Sequence, residues 1–349
     1  MHGTLRHNNT RKNHKPKNTT KKNKESYIYL IAYGGLCDCI IQLGICMHYA
    51  IKHKRSILLK LYEYSASNLK DVFDFSKFPV PVYTETEKIH RLVTSHRLYP
   101  PVDVHKYNIS KPIFTKWIKK DTAYIDKIPG CEPFTFDTNK TYPRDTILIK
   151  SNGGRPKWHG SEPLELEFFR NITLRPSVIQ AYKDAVKEYN IPDEYVAVHL
   201  RATDKPLSFV HNILGMNKQE SNHMKENGGV DAFIEKYAPM PTYIATDNKK
   251  HLEKYKEKYP SVIHSVAAYE TERPNSEVVH RGLHRNGVKD PSVLVNAIVD
   301  LIILAKAKVL MTSVGGYTGM AKLLWQNKDV LEHILTPPLA SVKRGSTPL

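Results

Sequence analysis

Residues 27–61 read YIYLIAYGGLCDCIIQLGICMHYAIKHKRSILLKL, and three successive patterns in them decide the class of fold. Tyr27–Ala32 is a short apolar run rich in β-formers, broken by Gly34-Gly35. From Leu36 to His53 apolar residues recur at Ile40, Ile41, Leu43, Ile45, Met47 and Ala50, which is a helical pattern. Ser56–Leu61 supplies a second buried strand. Strand, glycine turn, helix and strand make a βαβ unit, whose two strands lie parallel in one sheet.

The same alternation returns in the second half of the chain. A helical pattern over Pro176–Tyr189 leads into a strand at Tyr195–Leu200, which ends on Arg201-Ala202-Thr203-Asp204-Lys205. Thr242–Thr246 reads as a strand ending in Asp247, Lys249–Tyr259 as a helix and Val262–Ser265 as a strand. Pro291–Ala307 (helix), Val309–Thr312 (strand) and Tyr317–Trp325 (helix) follow. Tyr62 to about Leu174 has scattered Pro and aromatic residues and no assignable periodicity. Two β/α segments predict an α/β protein of two Rossmann-like domains facing each other across a cleft. The expected boundaries are a basic tail at 1–25, an N-terminal domain at 26–174, a C-terminal nucleotide-binding domain at 175–335 and a C-terminal tail at 336–349.

The chain's 349 residues suit two domains, and 40% apolar with 25% charged residues is a globular composition. Its longest apolar stretch, Ala297–Met311, is interrupted by Asp300, Lys306 and Lys308, short of the roughly 20 apolar residues of a membrane span. No transmembrane helix is expected. The first 25 residues lack an apolar segment, so no cleavable secretory signal is expected and the chain is assigned to the cytosol. Its four cysteines, three of them clustered at Cys37, Cys39 and Cys46, do not make a disulfide scaffold.

Net charge is +17, and the tail contributes +7 of it through eight Lys/Arg against Glu25. With so few apolar side chains the tail cannot bury enough surface to order itself, and any role it has is expected to be electrostatic attraction to an acidic surface. A basic body suits an anionic ligand. No RNP, KH or zinc-finger signature is present, so nucleic acid is not the expected partner.

Ligands of open parallel sheets bind beyond the carboxyl ends of the strands, which directs attention to a short set of residues. These are Gly34-Gly35-Leu36-Cys37-Asp38 after the first strand, His199 to Lys205, Asp247-Asn248, and Thr312-Ser313-Val314-Gly315-Gly316. Arginine, lysine, aspartates and a hydroxyl/glycine loop gathered at strand ends are how a nucleoside diphosphate is held. Asp300 lies in the apolar stripe Ile298, Leu301, Ile302, Leu304, Ala305, where an unpaired carboxylate would cost several kcal/mol. It therefore needs a partner: a structural Arg or Lys, a guanine edge, or a donor-site arginine. His199 reads as a strand histidine packed inward. No Asp-x-Asp and no metal-ligand spacing occurs, so no metal is expected.

Taken in order, Gly34-Gly35-Leu36-Cys37-Asp38-Cys39, Val198-His199-Leu200-Arg201-Ala202-Thr203-Asp204-Lys205, Tyr243-Ile244-Ala245-Thr246-Asp247, Asp300-Leu301-Ile302-Ile303-Leu304-Ala305-Lys306-Ala307 and Thr312-Ser313 resemble the α1,6-fucosyltransferase and nodulation fucosyltransferase superfamily. The resemblance spans roughly residues 27 to 327. It implies a two-Rossmann GT-B glycosyltransferase, metal-independent and inverting, using GDP-fucose as donor, a glycan hydroxyl as acceptor and no cofactor. It further implies that Arg201 contacts the donor phosphates with Lys205, and that Gly34, Gly35, His199, Asp204, Asp247, Asp300, Thr312 and Ser313 border the donor. Asp38, on the first domain's glycine loop, is the candidate general base for the acceptor. Three positions depart from the family pattern: Ala202 replaces a second arginine, Phe209 falls where a catalytic glutamate is expected, and Val314-Gly315 replaces a Ser-Ser pair. The alternatives are a non-catalytic nucleotide- or glycan-binding relative and a GT-B transferase using another nucleotide sugar.

Overall fold

The computed structural model describes residues 25–32, 36–61, 69–99, 137–150, 162–200, 212–219, 222, 226, 229–246, 249–263, 292–313 and 315–336. Its elements run β1 (Tyr27–Ala32), α1 (Leu36–His53), β2 (Ser56–Leu61), α2 (Leu69–Val72), β3 (Phe73–Asp74), β4 (Val82–Tyr83), α3 (Thr86–Ser95), β5 (Arg97–Tyr99) and β6 (Thr146–Lys150). Then come α4 (Leu164–Arg170), β7 (Thr173–Leu174), α5 (Pro176–Glu188), β8 (Val196–Leu200), β9 (Asn212–Leu214), α6 (Gly229–Tyr237), β10 (Thr242–Thr246) and α7 (Lys249–Lys258). The last are β11 (Val262–Ile263), α8 (Ser292–Lys306), β12 (Val309–Thr312), α9 (Gly316–Gln326) and α10 (Lys328–Leu335).

Two five-stranded sheets result. The first has the order β4-β2-β1-β6-β5 and is parallel throughout. The second has the order β11-β10-β8-β12-β9, parallel except for β9, which runs antiparallel to β12. In each, the strand order reverses beside the first strand of its half, between β1 and β6 and between β8 and β12. Helices cover both faces, which explains why β8, β10 and β12 are buried at every position.

Period-two alternation sorts side chains between the layers. Ile28 and Leu30 of β1 enter the main core, whereas Tyr27 and Tyr29 face a smaller cluster with Ile89 and Val93 of α3. In the second sheet Ala197, Tyr243, Ala245 and Leu310 enter the same main core. Val196, Val198, Ile244, Val309 and Met311 meet Phe233 and Ile234 of α6 on the other face. One apolar cluster therefore runs through both halves, and α10 packs back against α4 and β7.

β1, α1, β2, β10 and β12 have the expected bounds, while β8 begins at Val196, α5 ends at Glu188, α7 at Lys258 and α9 starts at Gly316. The stretch after Tyr62 is more regular than its sequence suggested, because its strands are only two to five residues long and take their order from neighbours in the sheet.

Gly44 marks the closest crossing in the core. A Cβ there would lie 2.4 Å from the carbonyl oxygen of Leu164, a backbone atom that cannot rotate aside. Gly44→Ala gains about 1 kcal/mol in helix propensity but forces α1 and α4 apart. The expected outcome is a net loss of about 2 kcal/mol in a denaturant titration. A more stable variant would show that these helices separate freely.

Candidate functional site

The second sheet's switch point lies where β8 and β12 end side by side. Thr312 pairs with His199, and the Ser313 amide donates to the His199 carbonyl at 3.2 Å. The imidazole is nearly buried, with Nδ1 3.2 Å from Ser313 Oγ and 2.7 Å from Thr318 Oγ1. Its ring also lies 5.1 Å from that of Tyr317. Two hydroxyls on one ring nitrogen fix the imidazole's rotation and so stiffen the last turn of backbone before Arg201.

Beyond β12 the chain turns at Gly315, whose φ of +136° is a conformation that favours glycine, and enters α9. Gly315 is the N-cap and supplies no side-chain hydrogen bond. The first-turn amides of a helix suit an anion. Tyr317 anchors this turn by donating its hydroxyl to the Ala297 carbonyl of α8.

The first half meets this point through the start of α1. A Cβ on Gly316 would lie 2.8 Å from Cys37 Sγ, so the first turns of α1 and α9 touch where neither could accept more bulk. Asp38 is exposed on that first turn of α1. Cys37 and Cys39 are buried, and burial, with lesser contributions from Asp38 and other nearby acidic groups, pushes both thiols up to about 12. They are protonated packing residues, and Cys46 is a buried free thiol as well.

Of the residues expected from the sequence, His199, Thr312 and Ser313 are thus brought together, with Asp38 on the turn that touches α9. Arg201, Asp204, Lys205, Asp247, Gly34 and Gly35 lie outside the described residues. Asp300 is 3% exposed and accepts a hydrogen bond from the Tyr243 hydroxyl. Tyr243 is the second residue of β10, about 10 Å along the strand from its carboxyl end. The carboxylate therefore sits in the layer between α8 and the sheet, with the Tyr243 hydroxyl among its partners.

Thr318 and Tyr317 were missed. The signal available was a hydroxyl two residues beyond Gly315-Gly316, in the first turn of a helix that follows a strand end. Among the described residues no group of three or more His, Cys, Asp or Glu is placed to hold a metal ion. Among them, too, no helix is long and apolar enough to cross a membrane.

No family model matches this sequence, and no curated protein matches it significantly. Solved structures do. The fucosyltransferase NodZ from Bradyrhizobium superposes with a TM-score of 0.50 at 17% identity, covering 86% of this chain and 93% of that one. Its selenomethionine form gives 0.50 at 16%, with 86% and 92% covered. POFUT1 in complex with GDP gives 0.48 at 13%, with 86% and 94% covered. At such identity what is shared is the fold, and the α/β architecture with its parallel sheets matches that of the GT-B fucosyltransferases.

Proposed function

We propose that this chain is a glycosyltransferase that moves L-fucose from GDP-fucose to a glycan hydroxyl with inversion and without a metal ion. One observation carries the reading. The β8/β12 switch point brings His199, the Thr312-Ser313 strand end and the glycine-led start of α9 together, and α9 touches the first turn of α1 that carries Asp38. The fold shared with a fucosyltransferase supports fucose as the sugar, and the resemblance of the sequence motifs supports GDP as the nucleotide.

In a single displacement negative charge grows on the departing diphosphate as the glycosidic bond breaks. Arg201, immediately after β8, meets that charge with a rigid fork of donors, and Lys205 adds a second cation. The first-turn amides of α9 take a share of it. Asp247, next after β10 in the sequence, and Asp204 are assigned to the nucleoside by the motif resemblance. Asp38 removes the acceptor's proton from across the crevice.

A panel of nucleotides in a thermal-shift assay tests the donor. GDP and GDP-fucose should raise the midpoint while UDP and ADP do not, with about 2.7 kcal/mol of stabilisation at a hundredfold excess over Kd. Transfer should persist in EDTA. A shift with UDP alone would overturn the donor assignment, and activity lost on chelation and restored by Mn²⁺ would overturn metal independence. Phe209, where the family pattern has a glutamate, favours a second reading. A non-catalytic relative would give the GDP shift with no transfer or hydrolysis of GDP-fucose.

A further inference from the structure

The opposite end of the first half gathers positive charge. α1 closes with His48, Lys52 and His53, followed by Lys54. Three contacts join this end to its neighbours. Lys52 Nζ donates to Asn139 Oδ1 at 3.3 Å, Arg144 donates to the His53 carbonyl at 3.3 Å, and Ser26 Oγ donates to the Lys54 carbonyl at 3.4 Å. The end of α1, the segment 137–145 and the entry to β1 therefore share one surface, on which Lys52, Lys54, Lys140 and Arg144 are exposed.

Ile51, 43% exposed, immediately precedes Lys52 at this end of α1, and among the described residues it is the one large apolar side chain left in solvent. Acids are present as well. Glu25 accepts from the Tyr27 hydroxyl, Asp137 from the Asn139 amide, and Asp145 is exposed. His53 is held below its ordinary range by burial and then by Lys52, Arg55, Arg144 and His48. The chain enters β1 here, and the sequence that precedes Glu25 holds eight more Lys/Arg.

We propose that this surface docks the protein on a membrane face rich in anionic phospholipid, with Ile51 entering the headgroup layer. Clustered Lys and Arg are attracted to the negative surface, and an apolar side chain among them gains only where hydrocarbon lies behind the charge. Single-stranded nucleic acid would call instead for exposed aromatic rings, and the rings of this patch, Tyr49 and Tyr142, are buried. α1 has 18 residues and so is about 27 Å long, with the patch at one end and Asp38 at the other. A docked molecule holds its crevice one helix length from the lipid, open to solvent.

The test is sedimentation of the full chain with phosphatidylcholine vesicles, with and without phosphatidylserine, beside retention on heparin. Binding should require phosphatidylserine and weaken with salt. Lys52→Glu/Lys54→Glu/Lys140→Glu should reduce partitioning roughly tenfold or more. Ile51→Ser should weaken vesicle binding and leave heparin retention unchanged, and a chain lacking residues 1–24 should keep a residual affinity that the same substitutions remove. Thermal unfolding verifies that each variant is folded. Heparin retention without vesicle binding, vesicle binding insensitive to Ile51, or binding wholly lost with the tail would each overturn the proposal.

Discussion

Replacing Arg55 with methionine is expected to lower folding stability by about 3–5 kcal/mol, the scale for breaking a buried charged network. Arg55 is 2% exposed, between α1 and β2. Its Nη1 donates to the carbonyls of Tyr27 and Thr146 at 3.2 and 3.1 Å, and its Nη2 to those of Tyr142 and Pro143 at 2.8 and 2.7 Å. One guanidinium thus ties the start of β1 to the segment that leads into β6. Burial pulls its pKa below the ordinary value, yet a guanidinium remains charged. Methionine fills a similar length with no donors and leaves buried carbonyls short of a partner, each costing about 1–3 kcal/mol where no water reaches. Lysine, with a single ammonium, cannot serve both pairs of carbonyls and should recover less than half of the loss. The check is a urea titration of the three proteins, and a loss below about 1 kcal/mol for methionine would mean that solvent takes over these groups.

Arg201→Ala is expected to reduce fucosyl transfer about 10²–10³-fold, equivalent to about 2.7–4 kcal/mol of transition-state stabilisation. The prediction rests on the proposed function and on the place of Arg201 one residue beyond β8, where His199, Ser313 and Thr318 stiffen the strand end. Charge on the diphosphate increases only as the bond breaks, so the loss should fall on turnover more than on donor affinity. Arg201→Lys should restore a fraction, since a point charge does not reproduce the two-pronged contact. Steady-state kinetics with GDP-fucose, beside circular dichroism to verify folding, gives the answer. Near-normal turnover would remove Arg201 from the mechanism.

The parts of the fold legible in the sequence are those with dense local signals. Tyr27–Leu61 carries a run, a glycine break, a helical period and a second run, and its bounds follow from them. Phe73–Asp74 and Thr173–Leu174 have no such signal. They pair antiparallel across about a hundred residues of chain, and two residues cannot show a period. β9 is hidden for the same reason: its three residues become a strand only because β12 offers an edge. At the site, His199, Thr312 and Ser313 were legible because strand ends are. Thr318 was not, since its tie to His199 joins residues 119 positions apart. For Asp300 the sequence showed that a buried carboxylate needs a partner, but Tyr243 is chosen by how α8 lies on β10, which no local window contains.

The touch between Cys37 and Gly316 has a mechanical meaning. It is one point on a seam along which a single apolar cluster runs through both halves, so bulk added there is not relieved by sliding one half past the other. A side chain at position 316 would act as a wedge in the joint, setting the two halves at a fixed splay.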